Sequence, residues 1–130
     1  EEVFTTEQLT GSLIKEANQF KTCLLINNGK GKYALKPLPA RAQLAPVYAI
    51  ISHDFTGDTQ QDIFIAGNDY SYKPELGRYD ANFGTLFINA KTYLPPAQSG
   101  LYYNGQARDA ITINTADKKQ TVIISINNEG

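Results

Sequence analysis

Three aspartates recur at every fourth position of one short polar segment, residues 54–62, which we call the acidic loop. Ca²⁺ takes about six to eight oxygen ligands, and a tight loop can supply them by turning alternate residues toward the ion. The acidic loop therefore predicts a calcium site. Its expected ligands are the side chains of Asp54, Thr56, Asp58 and Asp62 and the backbone carbonyl of Gln60.

An EF-hand is a different kind of calcium site, and the acidic loop does not fit it. An EF-hand needs a glutamate at loop position 12 and a helix on each side. Position 12 here is Ile65, inside an apolar run. The loop also has Thr56 where an acid or amide is usual, and Thr59 where glycine usually permits the sharp turn. An acidic β-turn that holds no metal is the alternative interpretation.

A second polar segment centres on Arg78, Tyr79 and Asp80. If the segment is extended, Arg78 and Asp80 share one face, because side chains two residues apart point the same way along a strand. One interpretation is a recognition site for a ligand. The other is a loop pinned by an Arg78–Asp80 ion pair, which the length of the surrounding loop favours.

The residues with catalytic potential do not form a catalytic set. His53 is the single histidine, and in an extended chain its neighbour Asp54 points to the opposite face, so no Ser–His–Asp arrangement is predicted. Cys23 lies in an apolar run and is predicted to be an inert core thiol. The sequence therefore predicts a protein that is not an enzyme. The alternative is an accessory part of a carbohydrate-active or other secreted enzyme, which would need two carboxylates to meet in a cleft.

Short strands are predicted to position these segments. From Lys21 onward, apolar runs alternate with clusters of Gly, Asn, Asp and Pro, a pattern typical of strands and turns. The expected strands are 22–27, 32–37, 46–53, 62–67, 84–89, 107–114 and 121–127, with an eighth inside 92–103. Residues 5–19 are the one helical candidate, with Thr6 as its cap.

The apolar runs recur in the same order about 60 residues apart. Residues 23–28 match 85–90 at an offset of 62, and 63–68 match 122–127 at an offset of 59. Ala49 and Ala110 align at an offset of 61. A four-stranded unit copied once is typical of propeller blades.

The repeat divides the chain into four predicted parts. These are an N-terminal segment 1–20 that contains the helical candidate, a first repeat 21–69, a linker loop 70–83 and a degenerate second repeat 84–130. The predicted fold is all-β, with two four-stranded antiparallel blade-like repeats of a β-propeller. In the second repeat, segment 115–121 keeps one acid, Asp117, and gains Lys118 and Lys119, so it is predicted to bind no metal.

Composition excludes two classes of partner. The chain of 130 residues has a formal charge of −1, whereas a nucleic-acid-binding domain typically has a strongly basic surface. No apolar run reaches the roughly 18 residues that a membrane-spanning helix needs, so the chain is not predicted to span a membrane.

Several segments together resemble the FG-GAP or VCBS repeats of integrin-α-like propellers. The resemblance is closest to bacterial proteins that combine these repeats with an ASPIC/UnbV-type domain. The segments are LLINNGKG at 24–31, LPARAQLAPV at 38–47, the acidic loop at 54–62, GNDY at 67–70, GRYDA at 77–81 and GQAR at 105–108.

The resemblance implies a propeller with calcium in its blade loops and further blades in the full-length chain. It also implies a secreted, periplasmic or cell-surface location and a role in adhesion or binding to a protein or glycan. Two blades alone expose strand edges and apolar faces, which template pairing with other chains. We therefore expect either self-association or a lid formed by residues 3–20, which carry six large apolar side chains.

Overall fold

The computed structural model describes residues 3–117 and 119–127, and this part of the chain is mostly β. The short helices are α1 (Thr6–Leu9) and α2 (Pro96–Ser99), with 3₁₀ turns at Ala40–Gln43 and Pro74–Leu76. The strands are β1 (Cys23–Asn27), β2 (Tyr33–Pro37), β3 (Val47–His53), β4 (Asp62–Gly67), β5 (Thr85–Ile88), β6 (Thr92–Leu94), β7 (Gln106–Asn114) and β8 (Gln120–Asn127).

All strand pairs within these residues are antiparallel, which confirms the predicted β-rich class. They form one four-stranded sheet, in the order β3-β4-β5-β6, and the two hairpins β1-β2 and β7-β8. The prediction of two four-stranded sheets is therefore wrong for the described residues. The reason is that β4 pairs with β5 across residues 68–84, which we call the long loop. The sheet therefore takes two strands from 21–69 and two from 84–130.

The two central strands of the four-stranded sheet, β4 and β5, are covered on both faces. On one face Phe64, Leu86 and their neighbours pack against Ala107 and Ala110 of the β7-β8 hairpin. On the other face Ile65 and Phe87 belong to a second cluster. Leu38 and Ala42, which follow β2, complete that cluster, and Leu24 of β1 packs against it. Every residue of β4 is buried, which explains why the sequence after Asp62, residues 63–67, is an unbroken apolar run and not an alternating one.

The N-terminal segment differs from both predictions made for it. Helix α1 is only four residues long, and its cap is Thr5, not Thr6: the Thr5 side chain accepts a hydrogen bond from the Gln8 N–H. The lid prediction is also wrong, because the segment packs none of its large apolar side chains into a core. The exposed side chains are Val3, Phe4, Leu9, Leu13, Ile14 and Phe20.

None of the helices within 3–117 and 119–127 combines the length and the apolar composition that crossing a bilayer requires.

The Tyr103 hydroxyl group makes two hydrogen bonds to the last residue of β4. The Tyr103 hydroxyl accepts a hydrogen bond from the Gly67 N–H at 2.7 Å and donates one to the Gly67 carbonyl at 3.3 Å. Burial raises the pKa of Tyr103 from 10.0 to about 12, against the opposing effect of the Gly67 hydrogen bond. Folding therefore favours the neutral phenol.

The raised pKa predicts loss of stability at alkaline pH. Below about pH 10 the contribution of Tyr103 is fully present, and it is lost as pH rises from 10 through about 12, because the unfolded chain releases the proton first. Tyr103→Phe should cost about 1–3 kcal/mol at pH 7, since the buried Gly67 N–H loses its acceptor. Urea unfolding at pH 7, 9, 10 and 11 measures both effects. An identical alkaline slope in wild type and Tyr103→Phe would contradict the assignment.

Candidate functional site

The acidic loop connects β3 to β4 at one end of the four-stranded sheet. Gly57 and Thr59 both adopt positive φ there, at 78° and 70°. Left-handed backbone is unusual for threonine. The loop thus makes the sharp turn that the sequence predicted, with Thr59 in the conformation that glycine usually adopts.

Asp54 organises the turn from its first position. Its Oδ1 accepts hydrogen bonds from the N–H groups of Gly57 at 2.6 Å and Asp58 at 3.1 Å, and its Oδ2 accepts one from Thr59 at 2.7 Å. Partial burial raises the pKa of Asp54, but the hydrogen bonds from Thr59, Gly57 and Asp58 outweigh this effect, so the pKa lies below its usual value. Asp54 is therefore a carboxylate at neutral pH.

Asp62 closes the acidic loop as a fully buried carboxylate. Its Oδ2 accepts hydrogen bonds from the N–H groups of Phe55 at 3.0 Å and Thr56 at 3.2 Å. Its Oδ1 accepts one from the Asn89 N–H at 2.8 Å, in the turn between β5 and β6. Asp62 thus joins two loops at the same end of the sheet.

The remaining predicted ligands lie between these two aspartates and are exposed. Asp58 accepts a hydrogen bond from the Gln60 N–H at 2.8 Å, and the Thr56 hydroxyl donates one to Asp54 at 3.4 Å. The loop carboxylates therefore accept mainly backbone N–H groups. Among the described residues, no three His, Cys, Asp or Glu side chains are gathered as metal ligands in this arrangement.

Asn89 belongs to this site, although the sequence did not single it out. Its side-chain N–H₂ group donates to Asp58 Oδ2 at 3.1 Å, while its Oδ1 is buried and has no hydrogen-bond partner in the described structure. A buried oxygen without a partner is costly and needs an explanation. The sequence signal that could have indicated it is an asparagine directly after the apolar run of β5. Asparagine tolerates the left-handed conformation found there, with φ of 51°.

The second predicted site, Arg78, Tyr79 and Asp80, is exposed, and only its ion-pair interpretation is wrong. Arg78 stacks over the ring of Tyr70 at 4.9 Å, and Tyr79 meets Tyr72 edge to face at 4.8 Å. The one ion pair within 3–117 and 119–127 joins Lys119 to Asp117, so the predicted Arg78–Asp80 pair does not form there.

Buried amides pin the long loop instead. The Asn68 side chain donates to the carbonyls of Asn82 at 2.7 Å and Gly105 at 3.0 Å, and it accepts from the Asn82 N–H at 3.0 Å. Asn68 and Asn82 are 0% and 5% exposed. Arg108 donates to the Asn68 carbonyl at 3.2 Å. These contacts join residues far apart in the chain, so no local sequence pattern predicted them.

His53, Cys23 and Asp117 contact residues of the fold. His53 ends β3, where it contacts the Gln120 side chain and meets Phe55 edge to face at 5.1 Å. Cys23 begins β1 and is only partly buried, so it is not the core residue that the sequence predicted. Side-chain hydrogen bonds from Thr115, which has the larger effect, and from Lys119 hold the pKa of Asp117 below its usual value. Lys118 lies outside the described residues.

A cleft of about 360 Å³ opens beside the acidic loop. Its walls come from the loop, α2 and β8, and they contain neither Asp nor Glu, so no pair of carboxylates meets in this cleft. The lining residues are Phe55, Thr56, Leu86, Leu94, Gln98, Ser99, Leu101, Gln120 and Val122.

Comparison with known proteins found no protein family, no curated protein and no solved structure that matches this chain. Its function is therefore inferred from its own residues.

Proposed function

We propose that this chain is a non-catalytic, extracytoplasmic binding or scaffold module, built from FG-GAP-like blades of a β-propeller. The observation that carries the proposal is a four-stranded antiparallel sheet with the β7-β8 hairpin packed on one face. On the other face lie Leu24 of the β1-β2 hairpin and the segment that follows β2. Consecutive blades stack in this way, each covering the apolar face of the one before. The chain would then hold one complete blade and half of each neighbouring blade.

The two hairpins β3-β4 and β7-β8 support a repeated unit. Each has a register irregularity near its start, between Val47 and Ala49 in one and between Ala107 and Asp109 in the other. Beyond it, Ile50 pairs with Ile65, and Ala110 pairs with Ile124. By this pairing Ala110 occupies the position in its hairpin that Ile50 occupies in the other, at an offset of 60 residues. The sequence alignment had matched Ala110 with Ala49, one residue away.

We assign calcium to the acidic loop as a cross-link between two loops of the complete blade. Asp54, Thr56, Asp58, Gln60 and Asp62 supply only oxygen ligands, which suits this hard cation. Asn89 Oδ1 is buried without a partner beside them and would add another oxygen. Since the carboxylates now accept N–H groups, binding requires some of these hydrogen bonds to be exchanged for the ion.

Titration calorimetry with calcium alone should show one site in the wild-type chain. Asp58→Ala should abolish it, because an exposed ligand is lost while the buried Asp62 stays in place. Asp117→Ala in the second loop is the matched control and should leave binding unchanged. Chelation of the ion should lower the melting temperature by mass action. Two sites of equal strength, or binding that survives in Asp58→Ala, would contradict the assignment.

Asn89→Asp tests the added ligand in the same experiment. The new carboxylate would lie beside Asp58 and Asp62, so it should destabilise the calcium-free chain by like-charge repulsion. It should also tighten calcium binding, because the ion then meets one more negative charge. If neither quantity changes, Asn89 is not part of the site.

Arg78, Tyr79 and Asp80 are proposed to face a protein or glycan ligand. They are exposed on the long loop, where the backbone bridge between Asp69 and Tyr79 holds them. Because the amide network fixes this loop from below, the exposed side chains can contact a ligand without supporting the fold themselves.

A further inference from the structure

Large apolar side chains lie exposed on the outer faces of the sheets, opposite the buried faces. On the β1-β2 hairpin Leu25 is 64% and Leu35 is 59% exposed, and these two residues pair directly. On the β7-β8 hairpin Ile111 is 52% and Ile123 is 47% exposed, and they also pair. Ile50 of β3 is 63% exposed. Singly exposed apolar residues are ordinary, but paired ones on regular strands indicate a contact surface.

Within the described residues several strand edges are unpaired as well, and those of β1 and β8 are two of them. Within the described residues β1 pairs only with β2, and β8 pairs only with β7. In the central sheet the corresponding strands, β5 and β4, pair with each other. Unpaired edges present N–H and C=O groups to other strands.

We propose that copies of this chain join head to tail, with β8 of one copy pairing antiparallel with β1 of the next. The joint completes a four-stranded sheet of β7, β8, β1 and β2. It repeats the pairing of β4 with β5 and continues the stacking that the chain already forms. The proposal rests on the blade equivalence proposed above and is independent of calcium.

The β4–β5 pairing sets the register of the joint. Ile63 pairs with Phe87, Phe64 with Leu86 and Ile65 with Thr85. Transferred through the repeat, these pairs become Val122 with Leu25, Ile123 with Leu24 and Ile124 with Cys23.

This register places every side chain on the correct face. Phe64 and Leu86 lie in the cluster on the β7-β8 side, whereas Ile63 and Phe87 lie in the cluster on the β1-β2 side. Leu24 already packs against the sheet that follows it in the chain, and Val122 against the sheet that precedes it. A register shifted by one residue would reverse both.

The joint also covers the exposed apolar side chains. Leu25 and Leu35 of the second copy would turn toward the central sheet of the first copy, beside Val122. Ile111 and Ile123 of the first copy would turn toward Ile50 of the second. One arrangement therefore pairs the edges of β1 and β8 and covers all five exposed residues.

Ile124→Cys tests the register directly, because Cys23 of another copy would lie opposite it. Directly opposite residues in an antiparallel pair have Cα atoms about 4.5–5.5 Å apart, within the range that a disulfide bridges. Mild oxidation of the full chain should give disulfide-linked oligomers on a non-reducing gel. Ile113→Cys, an exposed position on β7, and Cys23→Ser with Ile124→Cys are the controls and should give at least tenfold less cross-linked product.

Sedimentation of the wild-type chain keeps the proposal testable if the cysteine variant misfolds. The sedimentation coefficient should rise with protein concentration. Leu25→Asp, on an exposed face, should weaken association at least tenfold while leaving circular dichroism unchanged. A wild-type chain that stays monomeric at all concentrations, or equal cross-linking in Ile113→Cys, overturns the proposal. Calcium binding does not depend on whether the copies associate. Calcium titration of the same samples therefore tests the calcium site separately from the joint.

Discussion

Replacing Asp62 by alanine should lower the free energy of unfolding by about 3 kcal/mol or more, even without calcium. The Asp62 carboxylate is fully buried and accepts hydrogen bonds from the N–H groups of Phe55, Thr56 and Asn89. Its removal leaves these three part-buried donors without their acceptors. An unsatisfied donor costs about 1–3 kcal/mol when buried, and each of these three should contribute near the lower end because water reaches them in part. Urea unfolding in the presence of a chelator measures the loss.

Two variants control this measurement. Asp62→Asn keeps one acceptor oxygen and should lose less stability than Asp62→Ala. Asp80→Ala removes an exposed carboxylate and should change stability by no more than about 0.5 kcal/mol. If Asp62→Ala were as stable as Asp80→Ala, the buried carboxylate would not hold the acidic loop against the β5–β6 turn.

Gly67→Ala should have an effect of similar size, about 3 kcal/mol or more, for a steric reason. A Cβ at residue 67 would overlap the backbone carbonyl oxygen of Pro46. That oxygen also accepts a hydrogen bond from the Asn68 N–H at 3.3 Å, so the two backbones cannot move apart freely. The substitution therefore disturbs the start of β3 and the buried Asn68 together.

Gly100→Ala is the matched glycine control. Gly100 ends α2 with φ of 72° and ψ of −3°, and a Cβ there meets nothing within 4 Å. Only the cost of left-handed backbone applies, about 1–2 kcal/mol. Thermal unfolding of the two variants side by side separates a steric clash from a conformational cost, and equal melting temperatures would contradict the close approach at Gly67.

The acidic loop is already folded by its own backbone donors, which bears on what calcium would add. Asp54 and Asp62 accept six backbone hydrogen bonds between them. An ion bound here would stiffen a loop that is already formed, so we expect its removal to lower stability without unfolding the chain.

The strands and turns follow from local sequence. Apolar runs bounded by Gly, Asn, Asp and Pro placed all eight strands of the described residues within a few positions. The sequence also placed His53 at the end of a strand and the three aspartates in one loop. These features depend on neighbours along the chain, such as turn conformation and side-chain alternation, and for that reason a local pattern reveals them.

The grouping of strands into sheets, and the side chains that complete the site, depend on tertiary contacts. The pairing of β4 with β5 is made across a long loop, and the contacts of Asn89 with Asp58 and Asp62 span 31 and 27 residues. The Asn68–Asn82 network likewise replaced the predicted ion pair as the support of the long loop. Such contacts depend on packing and on satisfying buried polar groups in three dimensions, which spacing along the sequence does not encode.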